Sequence, residues 1–546
     1  MEESRFTRLD TAFARFLSQR SRLEGQAKQG FEQVLMRLSF EQNQGHNCIA
    51  IESEEHELLL ASGLVDLQGN LPLVVEQNRL YLQRYWQYEQ RLAGQLQLMM
   101  RGAPLPNLAD LDGLLNQYFP NLSADRDWQR EAAQVAVTQP FSIITGGPGT
   151  GKTTTVVKIL AVLQELVTQP LLIALAAPTG KAAMRLQESI GQRKADLPCA
   201  EAIKKIIPDT VTTLHRLLGA KPPSPYFRHH AAQPLIYDVV VVDEASMVDL
   251  ALMGKLVDAL KPNARLILLG DKDQLASVES GAVLADLVAA LPNQALELKT
   301  THRFGGAIKV LADAVNQQDI DAVWQVLRQG DQACGLLDDD VIDYAARRHS
   351  GYLRLLQNGA DFTGLFAEFS RFQVLCANRQ GKNSVAELNH GVEQKLLAQG
   401  LIHVSGLWYV GRPIMVTQNN AALHLYNGDM GLCLPDREQQ GKLMVFFQRA
   451  DGSVKKYLPA RVPHCETVFA MTIHKSQGSE FEEVLIVLPD AMNPVLTKEL
   501  LYTAITRAKQ VVKLVVDDDV LAQTVAQKVA RVTGLVDKFR ADVAKS

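Results

Sequence analysis

The chain has 546 residues, which is too long for one hydrophobic core and predicts about three to four domains. Apolar residues make up 47% and charged residues 21%, and the formal net charge is −4, so any binding of nucleic acid must depend on a local groove rather than on a basic surface. The six cysteines stand singly, without a C-x-x-C pair, which argues against a disulfide framework and a zinc site.

Residues 1–115 are polar, rich in Gln, Leu and Arg, and carry no catalytic motif, so we interpret them as a helical N-terminal domain. Within them, residues 79–100 have apolar and aromatic side chains at three- and four-residue spacing, which predicts a helix facing a core. The charged stretch "MEESRFTRLDTAFARFLSQR" lacks the apolar centre of a signal peptide, and no apolar run is long enough to cross a membrane. We therefore expect a cytoplasmic protein.

The pattern changes at about Trp128, where short apolar runs alternate with helical segments. The runs are "FSIIT", "LLIALAAP", "VVVVDEAS" and "RLILLGD". Runs without polar alternation are typical of strands buried on both faces. They predict an α/β domain, residues 116–325, with a parallel sheet and with functional loops at the carboxyl ends of its strands.

A second α/β block begins near "FQVLCANRQG" and ends near "VVKLVVDDD", and we assign residues 326–399 and 466–546 to it. The section between its two parts is rich in strands and contains the tight-turn pairs Asn427-Gly428 and Asp451-Gly452. We interpret residues 400–465 as a small β-barrel inserted into the second block.

A glycine-rich motif lies between a predicted strand and a predicted helix. The stretch "ITGGPGTGKTTT" contains G-x-x-x-x-G-K-T, the pattern of a P-loop, whose backbone N–H groups surround phosphate oxygens. In such a loop Lys152 reaches the β- and γ-phosphates, and the Thr153 hydroxyl binds Mg²⁺. The predicted nucleotide-binding residues of the motif are Gly146, Gly147, Pro148, Gly149, Thr150, Gly151, Lys152, Thr153 and Thr154.

An acidic pair follows four valines in "VVVVDEASMVD". We expect Asp243 to hold Mg²⁺ and Glu244 to orient and deprotonate the attacking water. Carboxylates placed directly after a buried strand, in the same domain as a P-loop, predict hydrolysis of a nucleoside triphosphate. GTPases, transporters and small-molecule kinases share this combination, so it does not by itself define the reaction.

Three further polar residues fit a hydrolase whose nucleotide lies between two blocks. Gln274, in "LILLGDKDQLASV", could bond a γ-phosphate, while Arg303 in "THRFGG" and Arg507 in "LLYTAITRAK" could stabilise charge on the transferring phosphoryl group. Each arginine alone could equally be part of a surface ion pair. Two arginines at the ends of the two blocks favour a shared cleft that opens and closes with the nucleotide state.

Together, "GGPGTGKTTT", "APTGKAA", "TLHRLLGA", "VVVDEASMVD", "LGDKDQLASVE", "HRF", "MTIHKSQGSEF" and "LYTAITRAK" resemble the superfamily 1 helicases of the 5′→3′ class. More narrowly, they resemble the family of alpha subunits of bacterial exodeoxyribonuclease V. The resemblance runs from about residue 128 to about residue 516 in the order of the family. It implies two RecA-like motor domains, an SH3-like inserted barrel, and an N-terminal domain that docks on the gamma subunit.

The resemblance also implies roles for individual residues. Gln129 matches the glutamine that reads adenine, and Lys152, Thr153, Asp243, Glu244, Gln274, Arg303 and Arg507 match the ATP-site set. The residues that match the track for single-stranded DNA are Pro178, Thr179, Lys181, Thr213, His215, Thr472, His474 and Ser476. Hydroxyls, loop N–H groups and scattered cations can hold a phosphate backbone without reading bases. Either histidine could instead be structural.

The implied protein is an ATP- and Mg²⁺-dependent 5′→3′ DNA helicase subunit that acts on duplex ends in double-strand break repair, in a heterotrimer with beta and gamma subunits. A free-standing helicase of the family and a non-motor ATP-dependent switch or scaffold are the alternatives. The acidic runs 338–340 and 517–519 lack the partners of a two-metal nuclease, so we expect any DNA-cutting site in another subunit.

Overall fold

The computed structural model describes residues 6–102, 110–120, 126–276, 281–300, 306–420, 422–449 and 452–543. Within these ranges the chain forms helices and four β-sheets, two of which consist of parallel strands alone. The predicted α/β class is therefore confirmed. None of the described helices is long and apolar enough to cross a membrane.

The N-terminal region contains a small sheet as well as helices, so the prediction of a helical domain is incomplete. Its helices are α1 (Arg8–Ser18), α2 (Gly25–Asn43), α3 (Ser53–Ala61) and α4 (Gln83–Met100), and its strands are β1 (Cys48–Ala50), β2 (Val65–Asp66), β3 (Leu73–Glu76) and β4 (Arg79–Leu82). The sheet order is β1-β4-β3-β2. The segment predicted as one helix begins as β4, because Gln77 and Asn78 both adopt positive φ and turn β3 back onto β4.

A six-stranded parallel sheet forms what we call the first lobe, in the order β10-β5-β9-β8-β6-β7. Its strands are β5 (Phe141–Thr145), β6 (Ile173–Ala177), β7 (Thr212–Thr213), β8 (Val239–Val242), β9 (Arg265–Gly270) and β10 (Ala295–Glu297). The helices of this region are α5 (Leu111–Tyr118), α6 (Trp128–Thr138), α7 (Lys152–Glu165), α8 (Gly180–Ala195), α9 (Glu201–Ile206), α10 (Leu214–Leu218), α11 (Leu250–Asp258) and α12 (Val283–Ala290). The four predicted strands are confirmed, and every residue of β5, β6, β8 and β9 is buried.

The rest of the chain builds a five-stranded parallel sheet, the second lobe, and an inserted antiparallel sheet. The strands are β11 (Cys334–Leu336), β12 (Phe372–Cys376), β13 (Pro413–Val416), β14 (Met430–Asp436), β15 (Lys442–Gln448), β16 (Val454–Tyr457), β17 (Cys465–Thr467), β18 (Ala470–Thr472), β19 (Phe481–Val487) and β20 (Ala508–Val515). The helices are α13 (Ala307–Gln317), α14 (Ile320–Arg328), α15 (Val341–Gln357), α16 (Phe362–Phe369), α17 (Val385–Ala398), α18 (Lys498–Ile505), α19 (Asp518–Ala526) and α20 (Leu535–Val543). The second lobe has the order β11-β20-β19-β12-β18.

The inserted sheet runs in the order β16-β15-β14-β13-β17, with antiparallel neighbours throughout. Successive side chains of a strand point to opposite faces of the sheet, so neighbouring residues of these strands pack into two different hydrophobic cores. Ile414 and Val445 lie in the core of the insertion itself, whereas Met415 and Phe446 pack into the core of the second lobe. This attaches the insertion firmly to the second lobe, and its likeness to an SH3 barrel stays a prediction.

Packing departs from the predicted domain boundaries at two places. Helix α13, assigned to the first α/β domain, contributes Leu311 and Val315 to the core of the second lobe. Helix α20, assigned to the second, instead packs between α4 and α12 and places Leu535 and Phe539 in the core of the first lobe. The C-terminal segment therefore ties the second lobe to the first lobe and to the N-terminal region.

A buried polar cluster lies where this C-terminal segment packs against the N-terminal region. The fully buried Glu89 carboxylate accepts hydrogen bonds from Asn47 Nδ2 at 2.9 Å and from Thr533 Oγ1 at 2.9 Å. Burial raises the pKa of Glu89. Burial, followed by the neighbouring Glu89, raises the pKa of Asp286 to about 7, although Arg531 opposes the shift.

We expect Asp286→Asn to stabilise the protein more at alkaline than at acidic pH. The folded state keeps Asp286 protonated up to about pH 7, whereas the unfolded chain ionises this carboxyl near pH 3.8. The free energy of unfolding therefore falls as the pH rises from about 4 to about 7. The advantage of the variant should grow by on the order of 2–3 kcal/mol between pH 5 and pH 8. Unfolding measured at both pH values checks this, with the exposed Asp321→Asn as control. An advantage that does not change with pH would contradict the assignment.

Candidate nucleotide and nucleic-acid site

The loops after β5, β8 and β9 meet at one edge of the first sheet, and the second lobe closes the space opposite them. They enclose a cavity of about 620 Å³. The predicted site residues that line it are Gln129, Pro148, Gly149, Gly151, Lys152, Thr153, Thr154, Asp243, Glu244, Gln274 and Arg507. Of the remaining predicted P-loop residues, Gly146, Gly147 and Thr150 lie in the same loop behind this lining.

The P-loop has the backbone that its sequence requires. Gly151 has φ 86°, and a Cβ atom there would lie 2.5 Å from Gln129 Nε2, so a larger residue would be both strained and obstructed. Helix α7 begins at Lys152, directly after this turn, and its positive end faces the cavity. Lys152 Nζ donates to Gly146 O at 2.6 Å and to Gly147 O at 3.0 Å, which holds the ammonium group within the loop.

The two carboxylates after β8 line the same cavity as this lysine. Burial and then the neighbouring Glu244 raise the pKa of Asp243 to about 6, whereas Lys152 opposes the shift. Glu244 has φ 51°, a left-handed conformation that is uncommon outside glycine and that a packed site can hold in place. A hard cation could therefore be held by Asp243 together with the Thr153 hydroxyl, which lines the same cavity.

The loop after β9 carries a buried network that reaches the second lobe. Gln274 is 7% exposed, and its Nε2 donates to Asp271 Oδ2 at 3.1 Å. The same oxygen accepts a hydrogen bond from the Tyr502 hydroxyl at 2.9 Å, from α18 of the second lobe. Burial raises the pKa of Asp271. Gln274, the predicted γ-phosphate contact, is thus linked to Tyr502 of the second lobe by hydrogen bonds to the same carboxylate oxygen of Asp271.

The next residue in this loop is fastened to the second lobe by its backbone. Leu275 N donates to Thr503 Oγ1 at 2.8 Å, and Leu275 O accepts from Gln477 Nε2 at 2.8 Å. The Leu275 side chain is buried in the core of the second lobe. This loop of the first lobe is therefore in direct contact with the second lobe.

Arg507 follows α18 and brings a charge of the second lobe into the cavity. Its side chain is 3% exposed, and Nε donates to Thr503 O at 3.0 Å. Burial lowers the pKa of Arg507, and the carboxylates of Glu244 and Asp271 in the first lobe oppose this. One of the two predicted arginines thus shares a cavity with Lys152, while Arg303 lies outside the described residues.

Sequence reasoning missed several residues of the cavity. Asp271 follows the buried strand β9 as Asp243 follows β8, so the same argument could have found it. Arg185 lies one helical turn after Lys181 on α8, where a four-residue spacing places both on one face. No local pattern around Glu480 indicates a partner, because its ion pair with Arg185 joins distant parts of the chain.

The residues predicted to contact DNA lie at the carboxyl ends of strands in both lobes. Thr179 and Thr213 cap the N-termini of α8 and α10, and each hydroxyl accepts a hydrogen bond from a backbone N–H of the helix it caps. Pro178 is partly buried, and His215 is exposed with its ring edge-on to Phe227 at 5.7 Å. Their side of the first sheet is thus available as a surface.

The remaining predicted contacts are more enclosed. Lys181 Nζ donates to Ser479 Oγ at 2.5 Å, and burial lowers the pKa of Lys181 to about 8. Thr472 is 7% exposed, and burial lowers the pKa of His474. Ser476 is fully buried and its hydroxyl donates to the carbonyl of Ile473 at 2.7 Å, so it is the predicted contact with the least access to a ligand.

The acidic runs 338–340 and 517–519 do not form part of a metal-binding cluster within the described ranges. No group of three or more His, Cys, Asp or Glu residues there is arranged to hold a metal ion. The run 338–340 forms the turn before α15, and the run 517–519 caps and begins α19. Both are exposed, as is usual for helix starts.

Two family models match the parts of the chain that build the cavity. A model described as an AAA domain matches residues 129–280, and a model described as a UvrD-like helicase C-terminal domain matches residues 467–515. The first covers the P-loop and both acidic loops, and the second covers Arg507.

Curated relatives align over most of the chain. The RecBCD enzyme subunit RecD of Mycolicibacterium smegmatis is 41% identical over 84% of this chain and 82% of its own length. The subunit of the same name from Haemophilus influenzae is 36% identical over 85% of this chain and 80% of its own. The ATP-dependent RecD2 DNA helicase of Deinococcus radiodurans is 30% identical over 85% of this chain and 59% of its own.

Among solved structures, Pif1 helicase from Bacteroides in complex with ADP-AlF3 and ssDNA aligns with a TM-score of 0.41 and 18% identity, over 77% of this chain and 99% of that one. The curated relatives carry the assignment, because two of them are 36% and 41% identical over at least 80% of both partners. This chain belongs to the RecD family of RecBCD enzyme subunits.

Proposed function

We propose that this chain is an ATP-dependent 5′→3′ DNA helicase subunit of a RecBCD assembly, and that it unwinds duplex ends in double-strand break repair. The observation that carries the proposal is the shared cavity, in which Lys152 and Glu244 of the first lobe lie with Arg507 of the second. A site built from two lobes can change their separation when its ligand changes, which a motor needs.

The roles within the cavity follow from charge and placement. Lys152 and the N-terminus of α7 bind the phosphates, and Gln129 lies beside the P-loop where the base would be held. Glu244 accepts the proton of the attacking water, and Arg507 stabilises the charge on the transferring phosphoryl group. A Mg²⁺ ion held by Thr153 and Asp243 would, when bound, neutralise charge on the phosphate oxygens. Arg303, which lies outside the described residues, is proposed to share this role with Arg507.

Movement along DNA requires two gripping surfaces that approach and separate. The predicted track has one part on the first lobe, at Thr179, Lys181 and Thr213, and another on the second lobe near His474. Hydroxyl, amino and imidazole groups hold phosphates without reading bases, which suits a motor that must cross every sequence. Alternate release of the two parts during the ATP cycle would advance the chain.

The partners in this proposal are the beta (RecB) and gamma (RecC) subunits, with residues 1–115 docking on the gamma subunit. The names of two similar curated subunits, from Mycolicibacterium smegmatis and Haemophilus influenzae, refer to the RecBCD enzyme, which supports this assembly. The predicted cytoplasmic location belongs to the same proposal, as does a DNA-cutting site in another subunit.

A strand-displacement assay with 5′-tailed and 3′-tailed duplexes tests the proposal. With ATP, the full chain should unwind 5′-tailed duplexes more strongly with the beta and gamma subunits than alone, and it should leave 3′-tailed duplexes intact when it acts alone. Equal activity on both tails would refute the direction. Undiminished activity of a stable isolated chain would favour a free-standing helicase, and no unwinding in any assembly would favour a switch or scaffold.

We expect Lys181→Ala to weaken binding of single-stranded DNA and to lower its salt dependence. Each phosphate contact on a single strand contributes about 0.7 to the slope of log K against log salt, so the loss of one contact should reduce the slope by about that amount. Titration of oligo(dT) at several salt concentrations measures both quantities. Lys205→Ala, at an exposed lysine of α9, is the control. An unchanged slope in Lys181→Ala would remove this residue from the track.

A further inference from the structure

Residues 478–480 of the second lobe, which we call the 478–480 segment, are held by three cationic side chains. Two of these come from α8 of the first lobe, and the third follows α18 of the second. The bonds are Lys181 Nζ to Ser479 Oγ at 2.5 Å, Arg185 Nη1 to Gly478 O at 3.2 Å, and Arg507 Nη1 to Ser479 O at 3.4 Å. One short segment thus contacts both lobes.

Arg185 makes a second contact with the segment, because it also forms an ion pair with Glu480. The Glu480 side chain is 10% exposed and that of Arg185 is 34% exposed, so water screens this pair only in part. Both residues line the nucleotide cavity with Lys152 and Glu244. Burial lowers the pKa of Arg185, whereas the Glu244 carboxylate, which lines the same cavity, opposes that shift.

The other end of the same segment reaches the predicted DNA track. Lys181 lies in the first turn of α8, after β6, where the track is expected. A DNA phosphate that binds the Lys181 ammonium would compete with the Ser479 hydroxyl for it. Since Ser479 O is also bonded to Arg507, a change at the lysine alters the surroundings of the arginine proposed to act on the phosphoryl group.

We propose that Arg185 is a positioning residue that makes ATP hydrolysis respond to DNA: its ion pair with Glu480 holds the 478–480 segment on α8, so that DNA at Lys181 shifts the segment and the Arg507 guanidinium with it. The inference rests on the proposed function, because it needs DNA in the track and ATP in the cavity. Arg185 would act through Glu480 and would not contact the phosphates itself.

Steady-state ATPase kinetics of the full chain, with and without oligo(dT), test this inference. We expect Arg185→Ala to lower the ratio of kcat with DNA to kcat without DNA by about tenfold, with the loss in kcat rather than in KM for ATP. Arg185→Lys keeps a charge for Glu480 and should recover part of the ratio. Glu480→Gln should give a loss at least as large, because it also weakens the ion pair of Glu480 with Lys509 at 3.7 Å. The double variant should be no worse than Glu480→Gln alone, because Arg185→Ala acts through the same carboxylate.

Two results would overturn the inference. One is a ratio of kcat with DNA to kcat without DNA that stays at the wild-type value in Arg185→Ala and in Glu480→Gln. The other is a loss in the double variant that equals the product of the losses in the two single variants. The control is Lys205→Ala, which should keep the wild-type ratio. Failure of the proposed function is distinguishable, since wild-type ATPase would then not respond to oligo(dT). Should Arg185→Ala fail to fold, Glu480→Gln and Arg185→Lys decide the question alone.

Discussion

Replacement of Lys152 by glutamine should reduce the kcat for ATP hydrolysis by about 10²–10⁴-fold while DNA binding is largely kept. The lysine begins α7, and its ammonium group is held in the P-loop by two backbone carbonyls. Glutamine keeps much of the length and a hydrogen-bond donor but loses the charge that stabilises phosphate oxygens. The DNA track lies after other strands, so the affinity for oligo(dT) should change little.

The matched control is Lys158→Gln on the same helix. Lys158 lies over the ring of Phe119 at 4.8 Å and does not line the cavity. Its replacement should leave kcat within about twofold of the wild type, because a cation–π contact contributes only to stability here. Full ATPase activity in Lys152→Gln, measured with saturating ATP, would remove the P-loop from the mechanism.

Replacement of Arg507 by alanine should slow hydrolysis by about 10³-fold and weaken nucleotide binding far less. Arg507 is the described residue that brings a positive charge from the second lobe to the carboxylates of the first, and an arginine in this position acts mainly on the transition state. The loss should therefore appear in kcat, while the Kd for a non-hydrolysable ATP analogue changes little.

Because Arg507 is buried, its removal could also disturb the second lobe. Arg507→Lys, which keeps a charge but loses the planar fork, should recover folding without recovering the rate. Arg371→Ala, at an exposed arginine paired with Glu368 and Glu482, is the control for loss of a cation in the same lobe. Equal losses in analogue binding and in kcat would show that Arg507 is structural.

The sequence was sufficient for the parts of the fold in which local pattern and burial agree. Strands β5 and β8 consist of the residues predicted from "FSIIT" and "VVVV", since strands buried on both faces need apolar residues at every position. The P-loop was equally predictable, because the positive φ at Gly151 and its contact with Gln129 require glycine.

Other parts depend on contacts that a sequence does not display. The hairpin of β3 and β4 turns at Gln77 and Asn78 without a glycine, so the usual turn signal is absent and the pattern predicts a helix where its second strand lies. Helix α20 has an ordinary amphipathic pattern, which cannot reveal that its partners are α4 and α12. The ion pair of Arg185 with Glu480 and the bond of Tyr502 to Asp271 exist only because the two lobes meet.

The most direct test of the whole account is the separation of the two lobes during the ATP cycle. Fluorophores at the exposed positions Gln192, on α8 of the first lobe, and Gln510, on β20 of the second lobe, report this separation in a background where Cys199 and Cys465 are replaced by serine. With oligo(dT) bound, we predict one efficiency of fluorescence energy transfer with a non-hydrolysable ATP analogue and a different efficiency with ADP. During ATP turnover, the efficiency should alternate between these two values. The same efficiency in all nucleotide states would contradict a motor driven by closure of this cleft.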